Sequence, residues 1–228
     1  MRCAYWRGCR PLERFCRLGE AAPIAERYRR CMNRKTAPDV KKGRVQKKNN
    51  WTPTPGYYNS EQALPLIDRK RPGEGYRHLL KRRDVQEFIA ILPDWEELSK
   101  GLNAIVLAPH EDAMGWHEPG VVHVCAWEQE LWWEDTVPAF VDDHREIFEW
   151  LGVVVEKQGG FLVTKWTEGQ ACAFQLLHVL LHELGHHHDR MTTRSQRSAS
   201  RGEGFAENYA RQYEARIWDE YLRRFGLD

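Results

Sequence analysis

Two histidines four residues apart, on a segment predicted to be helical, are the residues whose types and spacing point most directly to chemistry. They belong to the segment His182-Glu183-Leu184-Gly185-His186, which has the pattern H-E-x-x-H. On an α-helix, residues i and i+4 project from the same face, so both imidazoles can reach one zinc ion about 2.0–2.1 Å from each nitrogen. Glu183 projects to the side, where its carboxylate can take a proton from a metal-activated water. The pattern therefore predicts one zinc ion held by His182 and His186, with Glu183 as general base.

An acidic pair further along the chain supplies candidates for a third ligand. Glu203 and Glu207 are four residues apart at the start of the last predicted helix, and so share one face of it. A short loop would return this helix antiparallel to the first, so that this face meets His182 and His186. The alternative interpretation is a solvated helix start, where acidic side chains suit the helix dipole. Gly185 has no side chain, which lets another backbone or a substrate approach the histidines closely.

With these residues the chain resembles the gluzincin metallopeptidases, which combine H-E-x-x-H with a glutamate on the next helix. The segment that runs from Glu203 through Ala206 to Glu207 is similar to the E-x-x-A-[DE] segment of anthrax lethal factor-like and CAAX-processing peptidases, and the likeness covers about residues 150–215. The resemblance implies that Glu203 is the third zinc ligand and that Glu207 orients a ligating imidazole. Because His186 and Glu203 are close in sequence, Glu207 stays open as the alternative ligand. The implied activity is hydrolysis of a peptide or protein substrate by a water molecule that one Zn²⁺ ion activates.

Two other functions stay open at this point. His178, His182 and His188 have the spacing H-x3-H-x5-H, which is similar to the metal site of the bacterial rRNA-maturation endonucleases and implies an RNA substrate. That assignment gives no role to Glu183 or His186. A third class is a zinc-stabilised binding protein that has the same ligands but no turnover.

The charge distribution divides the chain into a basic arm and an acidic body. Residues 1–50 carry 15 basic and 4 acidic side chains, whereas residues 51–228 carry 19 basic and 29 acidic ones. Residues 1–75 are rich in Lys, Pro, Gly and Asn without a sustained period, which predicts a largely irregular arm before a metallopeptidase domain over 76–228. A solvated tail is the simpler interpretation of this arm, and nucleic-acid contact is the other.

Neither a membrane span nor a secretory signal is indicated, since the chain has no apolar run of about 18 residues and its N-terminus lacks an apolar core. We therefore expect a cytoplasmic protein. Four of the six cysteines, Cys3, Cys9, Cys16 and Cys31, precede Met32. They form no CxxC pair, which argues against a zinc ribbon. One hypothesis is that translation starts at Met32.

Periodicity predicts the elements that position these residues. A helix is expected between a cap at Asp84 and Pro93, followed by a strand over NAIVLA and a second strand over GVVHVCAW. The second strand should be half-buried because its valines alternate with His123 and Cys125, and it is interpreted either as a cleft wall or as a core strand. The segment VPAFVDDHREIFEWLG predicts one amphipathic helix that ends at Gly152.

The C-terminal part predicts a hairpin and two long helices. Two β-rich runs flank Gly159 and Gly160, which is a hairpin pattern. Thr167 and Gln170 form a capping box for a largely apolar helix that extends to about His188. The order of elements predicts an α+β fold of zincin-like type, with a small mixed sheet packed on a buried HExxH helix and a C-terminal helix that supplies the third ligand. Tyr209, Tyr213 and His123 are the candidates for stabilising the oxyanion.

Overall fold

The computed structural model describes residues 56–227 of the chain and the backbone of four residues before them. Those four residues form an antiparallel hairpin of two short strands, β1 (Val40–Lys41) and β2 (Arg44–Val45). The hairpin belongs to one compact unit, and the residues from Tyr57 onward belong to another. The four N-terminal cysteines, Met32 and most of the predicted arm lie outside the described residues, so the predictions made for them stay predictions.

From Tyr57 onward the chain forms nine short strands and a set of helices, mostly in runs of one kind. The strands are β3 (Leu66–Arg69), β4 (Tyr76–Arg77), β5 (Ala104–Ala108), β6 (Gly115–Glu118), β7 (Val121–Cys125), β8 (Trp127–Glu128), β9 (Trp132–Thr136), β10 (Val154–Gln158) and β11 (Phe161–Lys165). The helices are α1 (Arg82–Ile91), α2 (Trp95–Leu98), α3 (Pro138–Asp143), α4 (Arg145–Leu151), α5 (Glu168–Phe174), a π-helical segment (Gln175–Leu180), α6 (Leu181–Thr192) and α7 (Glu203–Phe225). This content confirms the α+β class.

The central sheet is mixed and has the order β3-β5-β7-β6. Strands β3, β5 and β7 are parallel to one another, and β6 pairs antiparallel with β7. Ile105 and Leu107 of β5 face the main core, whereas Ala104 and Val106 face a second apolar cluster on the other side. Both faces of the sheet are thus covered, as is usual for parallel strands.

Strand β7 is fully buried, so the prediction of a half-buried strand was wrong. All five of its side chains are buried, His123 among them. The His123 ring stacks on Trp116 with ring centroids 4.2 Å apart, and its Nε2 lies 3.2 Å from the Tyr58 hydroxyl. Burial lowers the pKa of His123 to about 4. The alternation of valine with polar residues therefore reflects two covered faces, one of which accommodates an aromatic stack.

The ordered fold begins before the boundary that composition suggested at residue 75. Strand β3 lies within the predicted arm and pairs in parallel with β5 along its whole length. A parallel strand takes its hydrogen bonds from a partner that is distant in sequence, so a four-residue strand leaves no local period by which to recognise it.

The predicted helix over VPAFVDDHREIFEWLG is two helices that meet at His144. His144 has φ −108° and ψ 16°, which ends α3 and starts α4. Its side chain is buried, and its Nδ1 donates a hydrogen bond to the Phe140 carbonyl oxygen over 2.7 Å. The apolar periodicity continues through this break, because both helices keep the same apolar face toward the core.

The helix that carries the HExxH residues is continuous from α5 through the π-helical segment to α6. It begins at the predicted capping box, in which the Thr167 hydroxyl accepts a hydrogen bond from the Gln170 backbone and the Gln170 side chain accepts one from Thr167 N. The helix ends at Thr192, one turn later than expected. The π-helical segment is buried throughout and contains His178. Short π-helical segments are rare and often occur at functional sites.

Helix α7 runs antiparallel along α6, and the two backbones approach closely at Gly185. A β-carbon on Gly185 would lie 2.9 Å from Ala206 Cα and 3.1 Å from Tyr209 Cβ. The connecting loop is fixed by Asp189, a fully buried carboxylate that accepts hydrogen bonds from the backbone and the Nε of Arg201. This ion pair holds the start of α7 beside the end of α6. Among the described residues no helix is both long and apolar enough to cross a bilayer.

Replacing Gly185 by alanine should destabilise the fold, because the added methyl group has no room against the backbone of Ala206. We expect Gly185→Ala to lower the free energy of unfolding by about 1–3 kcal/mol, measured by urea denaturation in the presence of a chelator. Gly204→Ala is the matched control, since a β-carbon there meets nothing within 4 Å, and it should be neutral or stabilise by up to about 1 kcal/mol. Equal stabilities of Gly185→Ala and the wild type would show that the close approach imposes no constraint.

Candidate metal centre

His182, His186 and Glu203 meet at the interface between α6 and α7. Their donor atoms all lie within 4.8 Å of one another. The Nε2 atoms of His182 and His186 lie 3.3 Å and 3.2 Å from the same atom, Glu203 Oε2. In a tetrahedral site with bonds of about 2.0–2.1 Å, neighbouring ligand atoms are about 3.3 Å apart. Two imidazoles and a carboxylate are also a donor set that zinc accepts, so the residues present fit this metal.

The three side chains lie where the core meets the surface. His182 is 3 % exposed and His186 is 12 % exposed, whereas Glu203 is 46 % exposed. The imidazoles are thus held by the packed helix interface, and the carboxylate approaches from the solvent side. A cation held by these three side chains would lie at the boundary of the fold, where a substrate can approach.

Glu207 contacts His182 from the other side of its ring. The Nδ1 of His182 donates to Glu207 Oε2 over 3.2 Å, and Arg211 lies 3.0 Å from the other carboxylate oxygen. Donation from Nδ1 leaves the lone pair of His182 at Nε2, which faces Glu203. Burial raises the pKa of Glu207, but the hydrogen bond from His182 and the neighbouring histidines outweigh it and lower the pKa to about 2. Glu203 thus faces both Nε2 atoms and Glu207 faces Nδ1, while the roles of ligand and orienting residue stay predictions.

Glu183 is buried beside the two histidines, against a glycine of the central sheet. It is 4 % exposed, and a β-carbon on Gly115 of β6 would lie 3.0 Å from Glu183 Cγ. Burial raises the pKa of Glu183 to about 7, against the opposing effect of charge on His182 and His186. A carboxyl group with a pKa near neutrality is suited to accept a proton and to return it. No local sequence pattern indicates that Gly115 contacts Glu183, since that contact depends on a helix that lies far along the chain.

His178, His182 and His188 do not converge on one point. The His188 ring stacks on Tyr209 with ring centroids 5.2 Å apart and belongs to neither of the two groups of donor atoms found among the described residues. His178 is buried, and its Nδ1 lies 2.7 Å from Glu214 Oε1. The structure gives it a buried carboxylate as partner, on the same α7 face as Glu207.

The cleft-wall interpretation of β7 needs correction. Strand β7 pairs with β5 on one side and with β6 on the other, so its main chain has no side open to an added strand. In the described part of the chain β6 is the edge of this sheet, and its Gly115 packs against Glu183. The neighbouring His187 is buried, and its Nε2 lies 2.9 Å from the Lys100 carbonyl oxygen.

Comparison of the chain with protein-family models, with curated proteins and with solved structures gave no significant match. The chemistry that the site can support therefore has to be inferred from its own side chains. The residues that sequence patterns did not single out are Gly115, His144 and Glu214. Glu214 did carry a signal, because it lies seven residues after Glu207 and so on the same helical face.

Substitution of the candidate ligands should separate the peptidase and nuclease assignments. We expect His186→Ala and Glu203→Gln to weaken zinc binding at this centre by more than about 100-fold, because each removes an atom that would bind the ion, and Glu207→Gln to weaken it by about 10–100-fold. His188→Ala is the control and should bind zinc like the wild type. Competition with a chromophoric chelator measures these affinities. Loss of zinc in His188→Ala together with full retention in His186→Ala would favour the nuclease ligand set instead.

Proposed function

We propose that this protein is a zinc-dependent peptidase with a zincin-like arrangement, whose metal is held by His182, His186 and Glu203. The observation that carries the proposal is that two Nε2 atoms converge on one oxygen of Glu203. The same helix holds a buried glutamate, Glu183, directly beside the pair. The three donor residues and the glutamate have the chemistry that hydrolysis by an activated water requires.

Glu183 does the proton transfer in the proposed reaction. A zinc ion bound by the three residues would lower the pKa of a water molecule and polarise the scissile carbonyl group. A carboxylate oxygen of Glu183 accepts a proton from the water while the oxygen of that water forms a bond to the carbonyl carbon. The same carboxyl group then gives the proton to the leaving nitrogen as the carbon–nitrogen bond breaks. A pKa of about 7 lets Glu183 act in both directions.

The position of β6 favours a peptide over an RNA substrate. β6 lies at the edge of the central sheet in the described part of the chain, next to α6 and Glu183. An extended peptide can add to such an edge through main-chain hydrogen bonds. RNA has no strand to contribute, and its recognition relies on basic and aromatic surfaces. The candidate arm for nucleic-acid contact lies largely outside the described residues, so contact with nucleic acid, like a cytoplasmic location, stays a prediction.

The test of catalysis is the substitution Glu183→Gln, which keeps the size of the side chain but removes its ability to accept a proton. Zinc-loaded wild type should cleave members of a diverse synthetic peptide library, detected by mass spectrometry. Glu183→Gln should bind the same amount of zinc and lose about 10²–10⁴-fold in cleavage rate. Glu130→Gln, a substitution at an exposed loop position, is the matched control and should cleave like the wild type.

Two outcomes of this experiment would contradict the proposal. Undiminished cleavage by Glu183→Gln would exclude Glu183 as the base. A zinc-loaded wild type that cleaves no peptide would leave the zinc-stabilised binding protein as the function, and cleavage of RNA by the same sample would restore the nuclease.

A further inference from the structure

We propose a second divalent-cation site in this protein, formed by His144, His178 and Glu207. Their donor atoms lie within 4.8 Å of one another, as those of the first group do. The residues come from three separate places in the chain: the junction of α3 and α4, the π-helical segment and α7. The proposed site does not depend on the peptidase function, because with Glu203 as the third ligand of the first centre the two sites share no ligand.

The geometry of the three side chains suits a cation. His178 Nε2 and Glu207 Oε2 are 3.5 Å apart, close to the separation of about 3.3 Å between neighbouring ligands of a tetrahedral ion. The rings of His144 and His178 have centroids 4.6 Å apart and planes inclined at 81°, so they approach edge to face and do not stack. Two imidazole nitrogens and one carboxylate oxygen favour Zn²⁺ over Mg²⁺ or Ca²⁺, which prefer oxygen ligands.

The second nitrogen of each ring is oriented as in known metal-binding histidines. His144 Nδ1 donates to the Phe140 carbonyl oxygen, which assigns the hydrogen to Nδ1 and the lone pair to Nε2. His178 Nδ1 lies 2.7 Å from Glu214 Oε1, the contact that a metal-bound histidine makes with a supporting carboxylate. Both Nε2 atoms therefore belong to the metal-facing side of the cluster.

A cavity of about 260 Å³ adjoins the cluster and gives a cation a route to it. Among the described residues, six acidic side chains and two arginines line this cavity, which favours cations over anions. Four of the acidic residues, Asp142, Asp143, Glu146 and Glu149, come from the segment around His144. Glu207 and Glu214 belong to α7.

Glu207 would connect the two centres. Its Oε2 faces His178 and also accepts the hydrogen bond from His182 Nδ1. A carboxylate oxygen has lone pairs for both a cation and a hydrogen bond. A cation bound at the second site therefore would fix the carboxylate that in turn fixes the ring of His182. We infer that the second ion has a structural role and orients a ligand of the first centre.

Zinc content measured by mass spectrometry of the stripped, reloaded and desalted full-length chain tests this site. Relative to the wild type, His144→Asn should lose about one equivalent of zinc, His186→Asn about one and the double variant about two. His110→Asn, in which a half-buried histidine outside both groups is replaced, should lose none. Zinc bound by the N-terminal cysteines would be common to all variants and cancels in these differences. Circular dichroism establishes that each variant is folded.

The outcomes separate the second site from the first. If His144→Asn retains as much zinc as the wild type while His186→Asn loses an equivalent, the second site is overturned and the first stands. If only His144→Asn loses an equivalent, the second site stands and the first, with the proposed peptidase, fails. His144 is buried, so its variant is at risk of misfolding. Anomalous scattering at the zinc edge from wild-type crystals locates the bound zinc without any substitution. A peak bounded by His144, His178 and Glu207 supports the site, and its absence from zinc-saturated crystals overturns it.

Discussion

The close packing of α7 against α6 at Gly185 is the constraint on which the rest of the site depends. With no side chain at Gly185, the two helix backbones come near enough for short glutamate side chains on α7 to reach the imidazoles of α6. The antiparallel direction then pairs residues in a fixed order, with Glu203 beside His186 and Glu207 beside His182. Glu214 and His178 continue the series one step deeper. A larger separation between the helices would leave these buried polar groups without their partners.

This interface buries several ionisable groups, and the free-energy cost of burying their charges has to be offset by partners of opposite charge. His178, His182, Glu183 and Glu214 are all nearly inaccessible to solvent. Taking charge out of water costs several kcal/mol per group unless a partner of opposite charge is near. Burial accordingly raises the pKa of Glu214 to about 8 and lowers that of His178 to about 3. Bound cations would supply the positive charge that these carboxylates face, and any ion that binds only the folded chain stabilises the fold by mass action.

The two groups of donor atoms share a common construction. Each consists of two histidines and one glutamate, and in each the glutamate comes from α7. They differ in exposure, because Glu203 lies near the surface whereas His178 is 1 % exposed. A cation near the surface can meet a substrate, and one in the interior can only hold side chains in place. The same ligand chemistry thus suits different roles according to depth.

The sequence by itself determined the elements that rest on local interactions. The capping box at Thr167, the hairpin at Gly159 and Gly160 and the shared face of His182 and His186 follow from residues within a few positions of one another. The sequence also predicted that Glu203 and Glu207 meet the histidines, because the two glutamates share one helical face and the HExxH pattern calls for a third ligand, with a solvated helix start as the alternative.

Only the tertiary structure decided the features that depend on residues distant in sequence. The parallel pairing of β3 with β5, the packing of Gly115 against Glu183 and the contact of His178 with Glu214 all join separate segments. No periodicity encodes them, since a local pattern reports which face of an element is apolar but not what covers that face. Only the structure separates the contacts of Glu203, which lies beside both Nε2 atoms, from those of Glu207, which lies beside His182 Nδ1, because two glutamates on one helical face are equivalent until a second helix meets them.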